Sequence, residues 1–376
     1  MEPMSKSVHS RRDFLRGKAA AGAIADVVEN TLDAVLPAES PRPLAAASPS
    51  DAPTGLVRIY HRRAMACDFE LRVRDDRSRD LDRPAIAALD LVDQVEDRLT
   101  VYRDHGATVE MNRAAAAAPV VVDDDLFRLL ELCDRLYQIT GGAFDPTSGP
   151  LSRVWGFHRR EGRLPDGGEI AQALATVGWD QVALDPKART VHFGAEGVEI
   201  NFNSIGKGWA LDRVGEGLAE RGVDDFLMHG GRSTLLAHNP SKDAPQAHGW
   251  WVALPNPLRP GERLAQVGLA GEAFSTSGSA TQFFEHEGRR FGHLIDPRTG
   301  WPAEGLLSAS ALAPTAAEAD ALSTAFYVMG AEATASFCDA NPQYGALLVE
   351  PSDTAGGAAL SVFNLPEDRW RPEKPD

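Results

Sequence analysis

Two hydrophobic periods follow one another along this chain in no regular order, and that irregularity limits the fold more than any other feature. Residues 56–74 alternate apolar and polar around Val57, Ile59, Phe69, Leu71 and Val73, which predicts two short strands joined at Ala64-Met65-Ala66-Cys67. From Ile86 the period changes: Leu89, Val92, Val95 and Leu99 recur at three or four residues and predict an amphipathic helix. A second helix is predicted over Leu126–Ile139, capped by Asp124 or Asp125 and stopped by Gly141-Gly142. Others follow Gly167-Gly168, run from about Gly208 to Glu220, and run from the capping box Thr315-Ala316-Ala317-Glu318 to about Met329. Strands are predicted at Val191–Phe193, Val198–Phe202, Phe226–Met228, Trp250–Leu254, Leu264–Leu269, Arg290–Ile295, Leu306–Ala313, Ala346–Val349 and Leu360–Phe363. A doubly wound sheet needs strands and helices in strict alternation, so this order predicts the α+β class, with mixed or antiparallel sheets and flanking helices.

Charge and the amino terminus narrow the function classes. The net charge of −16 argues against nucleic-acid binding, which needs a surplus of Lys and Arg to neutralise phosphates. The three cysteines, Cys67, Cys133 and Cys338, share no CxxC spacing and suggest neither a disulfide framework nor a zinc site. No apolar run reaches the roughly 18 residues that span a bilayer. Ser10-Arg11-Arg12-Asp13-Phe14-Leu15-Arg16 ahead of the alanine-rich run Ala19–Ala25 reads as a twin-arginine signal over residues 1–36, hence an exported or periplasmic protein, with a cytoplasmic tail as the alternative. Residues 37–54 form a linker rich in Pro and Ala, and the folded domain is expected over 55–370.

Four constellations carry candidate chemistry. Asn201-Phe202-Asn203-Ser204-Ile205-Gly206-Lys207-Gly208 runs from a strand through a turn of small residues into a helix, aiming backbone N–H groups and the Lys207 charge at an anion; a plain tight connection is the alternative. Asp320 and Thr324 lie four apart on one helix face, with Ser323 adjacent, an oxygen set suited to magnesium; the alternative is an Asp favoured by the helix macrodipole and a Thr324 hydroxyl bonded back to the Asp320 carbonyl. His293 and Asp296 end a strand before Pro297; His293 is a candidate general base or a packed core residue. Gly141–Leu151, followed by Trp155-Gly156-Phe157, joins a Gly-rich turn to aromatics that stack a planar ring or fill the core. Within it Asp145-Pro146-Thr147-Ser148-Gly149 echoes Asp296-Pro297-Arg298-Thr299-Gly300.

In series, these segments resemble the ApbE family of FAD:protein FMN transferases over roughly residues 57–350. The resemblance rests on Met65-Ala66-Cys67; Glu96–Tyr102 through Glu110-Met111-Asn112; Gly142–Gly156; Asn201–Asp212; Gly230-Gly231; Ser275–Gly278; His293–Gly300; and Ala319–Gly330. It implies a single α+β catalytic domain that binds FAD and, with Mg²⁺, passes FMN to a Thr or Ser hydroxyl of an acceptor protein, releasing AMP. By position, Met65, Tyr102, Ala143, Phe144, Asp145, Asn201, Lys207 and Ile295 would line the flavin nucleotide. The carbonyl of Ser204, with Asp320 and Thr324, would hold the metal, and Ser323 belongs to the same motif. His293 falls at the family's catalytic histidine, and Lys207 would stabilise the departing phosphate. Cys67, Asn201 and Ser323 stand where the family commonly has Thr, Asp and an acidic residue. That lighter acidic set fits, as the alternative, hydrolysis of FAD to FMN and AMP or FAD binding alone.

Overall fold

Eight strands build one sheet: β1 (Leu56–Ala64), β2 (Cys67–Asp75), β3 (Phe226–Gly230), β4 (Thr234–His238), β5 (Ala273–Gly278), β6 (Ser308–Ala313), β7 (Gly345–Pro351) and β8 (Ala358–Phe363). They lie side by side in chain order, and each neighbouring pair is antiparallel. These observations come from a computed structural model describing residues 56–75, 80–239, 249–280, 282–353 and 357–373. The signal region and the whole of the linker lie outside the described residues, which end just past the short strand Trp370–Pro372.

The β1–β2 turn shows how the sequence shapes the backbone. Met65 and Ala66 both take left-handed φ values of 51 and 55°, as a two-residue hairpin turn requires. The Met65 N–H donates to Glu96 Oε2 at 3.0 Å, which ties that turn to helix α1 (Asp82–Leu99).

Period-two alternation decides which residues reach the two faces of the sheet. Phe69, Leu71 and Val73 of β2, Ala309 and Ala311 of β6, and Ala346 and Leu348 of β7 join a main core with α1, α2 (Gly206–Glu220) and α3 (Ala316–Ala340). Each fully buried large apolar side chain contributes roughly 1.5–3 kcal/mol. Leu235 and Ala237, Phe274, and Leu347 and Val349 point the other way, onto the hairpin Trp250–Pro255/Arg263–Leu269. A third cluster, centred on Trp155, packs Phe157, Ile170 and Phe291 against the two-stranded ribbon Phe283–His286/Arg289–Gly292.

Several element ends differ from expectation for identifiable reasons. Helix Asp124–Ile139 is capped by Asp123, whose carboxylate accepts from the N–H groups of Asp125 and Leu126, rather than by Asp124 or Asp125. The helix after Asp166 includes Gly167 and Gly168, because Asp166 and Glu169 form a capping box around them. Val198–Phe202 joins no ladder and is not a strand. The Asn112 side chain takes the place of a neighbouring strand, accepting from Ile200 N and donating to Ile200 O, both at 2.9 Å. The strand expected through Ile295 ends at Gly292, and Ile295 makes only an isolated bridge to Pro302. Helix α3 takes non-helical geometry at Gly330, with φ at 76°, one residue beyond the expected end.

Candidate active site

Helix α2 starts without a side-chain cap of its own, since Ile205 at the cap position offers no acceptor. The missing acceptor comes from α3: Asp320 Oδ2 accepts the Gly208 N–H at 3.1 Å. The same carboxylate receives Lys207 Nζ at 3.1 and 3.4 Å, and the hydroxyls of Thr234 and Ser275 at 2.9 and 3.4 Å. Asp320 is only 4% exposed, so an anion there requires these donors.

A ring of hydroxyls continues from it. Ser277 Oγ lies 2.9 Å from Ser323 Oγ and 3.1 Å from Thr324 Oγ1, and Ser323 also donates to the Asp320 carbonyl at 2.9 Å. Lys207, Asp320, Ser323 and Thr324 are thus brought together. The hydroxyls of Thr234, Ser275 and Ser277 were assigned no role; their signal was the i, i+2 spacing of Ser275 and Ser277, which puts both on one face of β5.

The turn before α2 gathers most of the remaining candidates. Ser204 lies in the Asn203–Ile205 turn that opens α2. Asn201 Oδ1 accepts the Asn203 N–H at 3.0 Å, and Asn203 Nδ2 donates to Tyr102 Oη at 2.6 Å, holding the 65% exposed Tyr102 over the turn. A Cβ on Gly206 would stand 3.3 Å from Met65 Cε, so Met65 packs at the same helix start. On the opposite side, a Cβ at Gly231 would meet Cys67 Sγ at 3.3 Å and Lys207 Cδ at 3.8 Å. Burial pushes the Cys67 thiol up to about 11, partly offset by Lys207, which keeps it protonated and unsuited to nucleophilic work.

Other candidates turn their side chains elsewhere. Ala143 and Phe144 are buried in the main core. The Asp145 carboxylate is occupied by Thr147 N and Oγ1, at 2.8 and 2.6 Å, and by Trp179 N at 3.2 Å. Burial raises its pKa, and those donors pull it back. Only the backbone of this stretch is left to meet a ligand. Asp296 makes the matching turn with Arg298 N at 2.9 Å, and Trp155 Nε1 donates to Gly300 O at the end of that turn at 2.8 Å. Ile295 packs partly buried against that aromatic cluster.

His293 begins just after the ribbon ends, its ring edge-on to Phe157. Nδ1 lies 3.1 Å from the Gln282 carbonyl, so Nδ1 carries the proton and Nε2 is the ring's acceptor. Burial holds the imidazole below its usual range; the Gln282 carbonyl raises it, and the Lys207 charge lowers it further. A neutral imidazole with a free acceptor nitrogen, within the field of a lysine, suits proton abstraction.

The profile of the ApbE family matches residues 65–348. The chain belongs to the ApbE family. It is 31% identical over 321 residues to the FAD:protein FMN transferase of Treponema pallidum, covering 81% of this chain and 88% of the relative. The crystal structure of the ApbE protein of Thermotoga maritima superimposes with a TM-score of 0.71 at 26% identity, covering 81% of this chain and 96% of the other. The apo flavinyl transferase ApbE of Pseudomonas stutzeri gives a TM-score of 0.71 at 26% identity, covering 82% and 95%. The antiparallel sheet and its helices are therefore the ApbE fold. No helix among the described residues is long and apolar enough to cross a membrane.

Proposed function

We propose that this ApbE-family chain is an FAD:protein FMN transferase that passes FMN to a Thr or Ser hydroxyl of an acceptor protein and releases AMP. The observation that carries the reading is the buried Asp320, shared between the Lys207 ammonium and the Gly208 N–H at a helix start whose own cap residue, Ile205, offers no acceptor. Such a helix end, with an adjacent lysine, receives phosphate oxygens. The side chains that meet the Asp320 carboxylate, apart from Lys207, are the hydroxyls of Thr234 and Ser275. One carboxylate with hydroxyls and a backbone carbonyl fits magnesium, whose remaining positions are normally filled by substrate phosphate and water. Asp320, Thr324 and the Ser204 carbonyl would hold it, with Ser323 behind them; when bound, it withdraws charge from the diphosphate.

The chain's own residues supply the rest. Nε2 of His293 takes the proton of the acceptor hydroxyl, whose oxygen bonds to the FMN phosphorus as the bond to the AMP oxygen breaks. Lys207, on a flexible stem, offsets the charge gathering on the leaving phosphate. Met65, Tyr102 and Asn201 border the same turn and define where the flavin nucleotide would lie, and the backbone of Ala143–Asp145 with Ile295 completes its lining. The twin-arginine segment adds export to this proposal, so that acceptors would be met outside the cytoplasm.

Incubation with FAD, Mg²⁺ and an acceptor domain, followed by mass spectrometry, tests the reading. A covalent FMN adduct with stoichiometric AMP is expected. FMN and AMP without adduct would make the chain a pyrophosphatase, and no FAD turnover would reject both. Fractionation of cells carrying the chain with Arg11 and Arg12 changed to Lys tests export: retention in the cytoplasm is expected.

A further inference from the structure

Helices α2 and α3 cap each other. Asp320 of α3 accepts the Gly208 N–H in the first turn of α2. In return, Asp212 of α2 accepts both first-turn N–H groups of α3, from Ala316 to Oδ1 at 2.7 Å and from Ala317 to Oδ2 at 2.9 Å. Gly208 and Asp212 lie one turn apart on α2, and Ala316/Ala317 and Asp320 lie one turn apart on α3, so the exchange has four corners. Between them the backbones touch: a Cβ on Gly208 would overlap the Ala316 carbonyl and stand 2.6 Å from Ala317 Cα.

The rest of α3's start is fixed independently. Thr315 Oγ1 accepts the Glu318 N–H, and Glu318 returns to Thr315 N, while Arg135 and Tyr344 hold Glu318 Oε1 at 2.6 and 2.8 Å. Those bonds link α3 to itself, to helix Asp124–Ile139 and to the residue before β7. Asp212 instead binds α3 to the helix that carries Lys207. Both its oxygens are spent on the two N–H groups, and the nearest charges felt by it are Arg213 and Glu318.

We infer that Asp212 is a positioning residue for the transfer site: its carboxylate sets the offset between α2 and α3 that keeps Asp320 on Lys207 and Gly208. This rests on the reading of Lys207 and Asp320 as the working groups proposed above. An amide at 212 would turn an NH₂ toward one of two N–H donors, freeing one corner of the exchange while leaving size almost unchanged.

The test compares Asp212→Asn with Thr315→Ala, which removes a cap from the same helix without touching α2. For Asp212→Asn, kcat for FMN transfer is expected to fall at least tenfold with KM for FAD changed less than threefold. The rate of Lys207 acetylation by acetic anhydride, read by mass spectrometry without metal or FAD, is expected to rise at least threefold. Thr315→Ala, at an equal or greater loss of denaturation midpoint, should move neither. Equal effects in the two variants, or an unchanged Lys207 rate in Asp212→Asn, would show a merely structural role and overturn the inference. If Asp212→Asn does not fold, Asp212→Ser, whose hydroxyl accepts one of the two N–H groups, is read by the same criteria. Asp320→Ala in parallel separates the two readings: full transfer by that variant rejects the site itself, whereas its loss beside an unaffected Asp212→Asn rejects only the positioning role.

Discussion

Gly208→Ala tests the α2–α3 contact by sterics alone. The added methyl would overlap the Ala316 carbonyl and sit 2.6 Å from Ala317 Cα, against 3.4 Å for ordinary contact, so the shortfall is at least about 0.8 Å with backbone on the receiving side. No rotamer relieves it, so α3 must move by at least that distance, at a cost of roughly 1–3 kcal/mol for overpacking. Alanine returns about 1 kcal/mol of helix propensity, so the net loss of stability is about 0–2 kcal/mol. Activity is far more exposed, because a displacement near 1 Å of a positioned group costs on the order of 100-fold. Gly215→Ala, on the same helix, provides the control: its methyl would crowd the flexible end of Leu236, Cδ2 at 2.9 Å, and make ordinary contact with Phe226 Cζ at 3.7 Å. Urea denaturation and kcat for FMN transfer are the assays. Gly208→Ala is expected to lose about 10- to 100-fold in kcat with a small stability change, and Gly215→Ala to keep wild-type kcat. Wild-type kcat in Gly208→Ala would refute the claim that α2–α3 spacing governs the site.

Three further outcomes follow from particular contacts. His293→Ala should retain FAD binding by flavin fluorescence and lose transfer. In the wild type, the lowered histidine pKa should centre the acid limb of kcat/KM below 6.5; a limb centred above 6.5 would contradict the burial argument. Burial raises Asp212 from 3.8 to about 7, so its contribution to stability is present below pH 4 and is lost as pH rises toward 7. The stability of wild type relative to Asp212→Asn should therefore decline over that range, and parallel pH curves would count against it. Asn112→Ala leaves the N–H and carbonyl of buried Ile200 without their 2.9 Å partners, so a loss of about 1–3 kcal/mol in denaturant titration is expected.

Local rules reached a good part of this protein because they depend on neighbours in sequence. The periods of β2 and α1 and the Thr315 capping box follow from residues within a turn or two of one another, as does the placement of Asp320 beside Thr324 on one face; the helical residues beyond the break at Gly330 were not anticipated. Motif order along the chain was enough to indicate the ApbE family.

What the tertiary structure decided was the pairing of groups distant in sequence. Val198–Phe202 has a strand's composition, yet it joins no sheet: the side chain of Asn112 meets the Ile200 backbone and the Pro146 carbonyl accepts the Asn201 N–H. Asp145 reads as a ligand-facing acid, but Thr147 and Trp179 consume its oxygens. Thr234 and Ser275 reach Asp320 only because β4 and β5 pair beneath α3, and Asp212 looks like an ordinary helix-face acid until α3 is laid against it. A hydrogen bond between remote residues depends on the register of sheet and helices, which the whole core sets at once, and no local period encodes it.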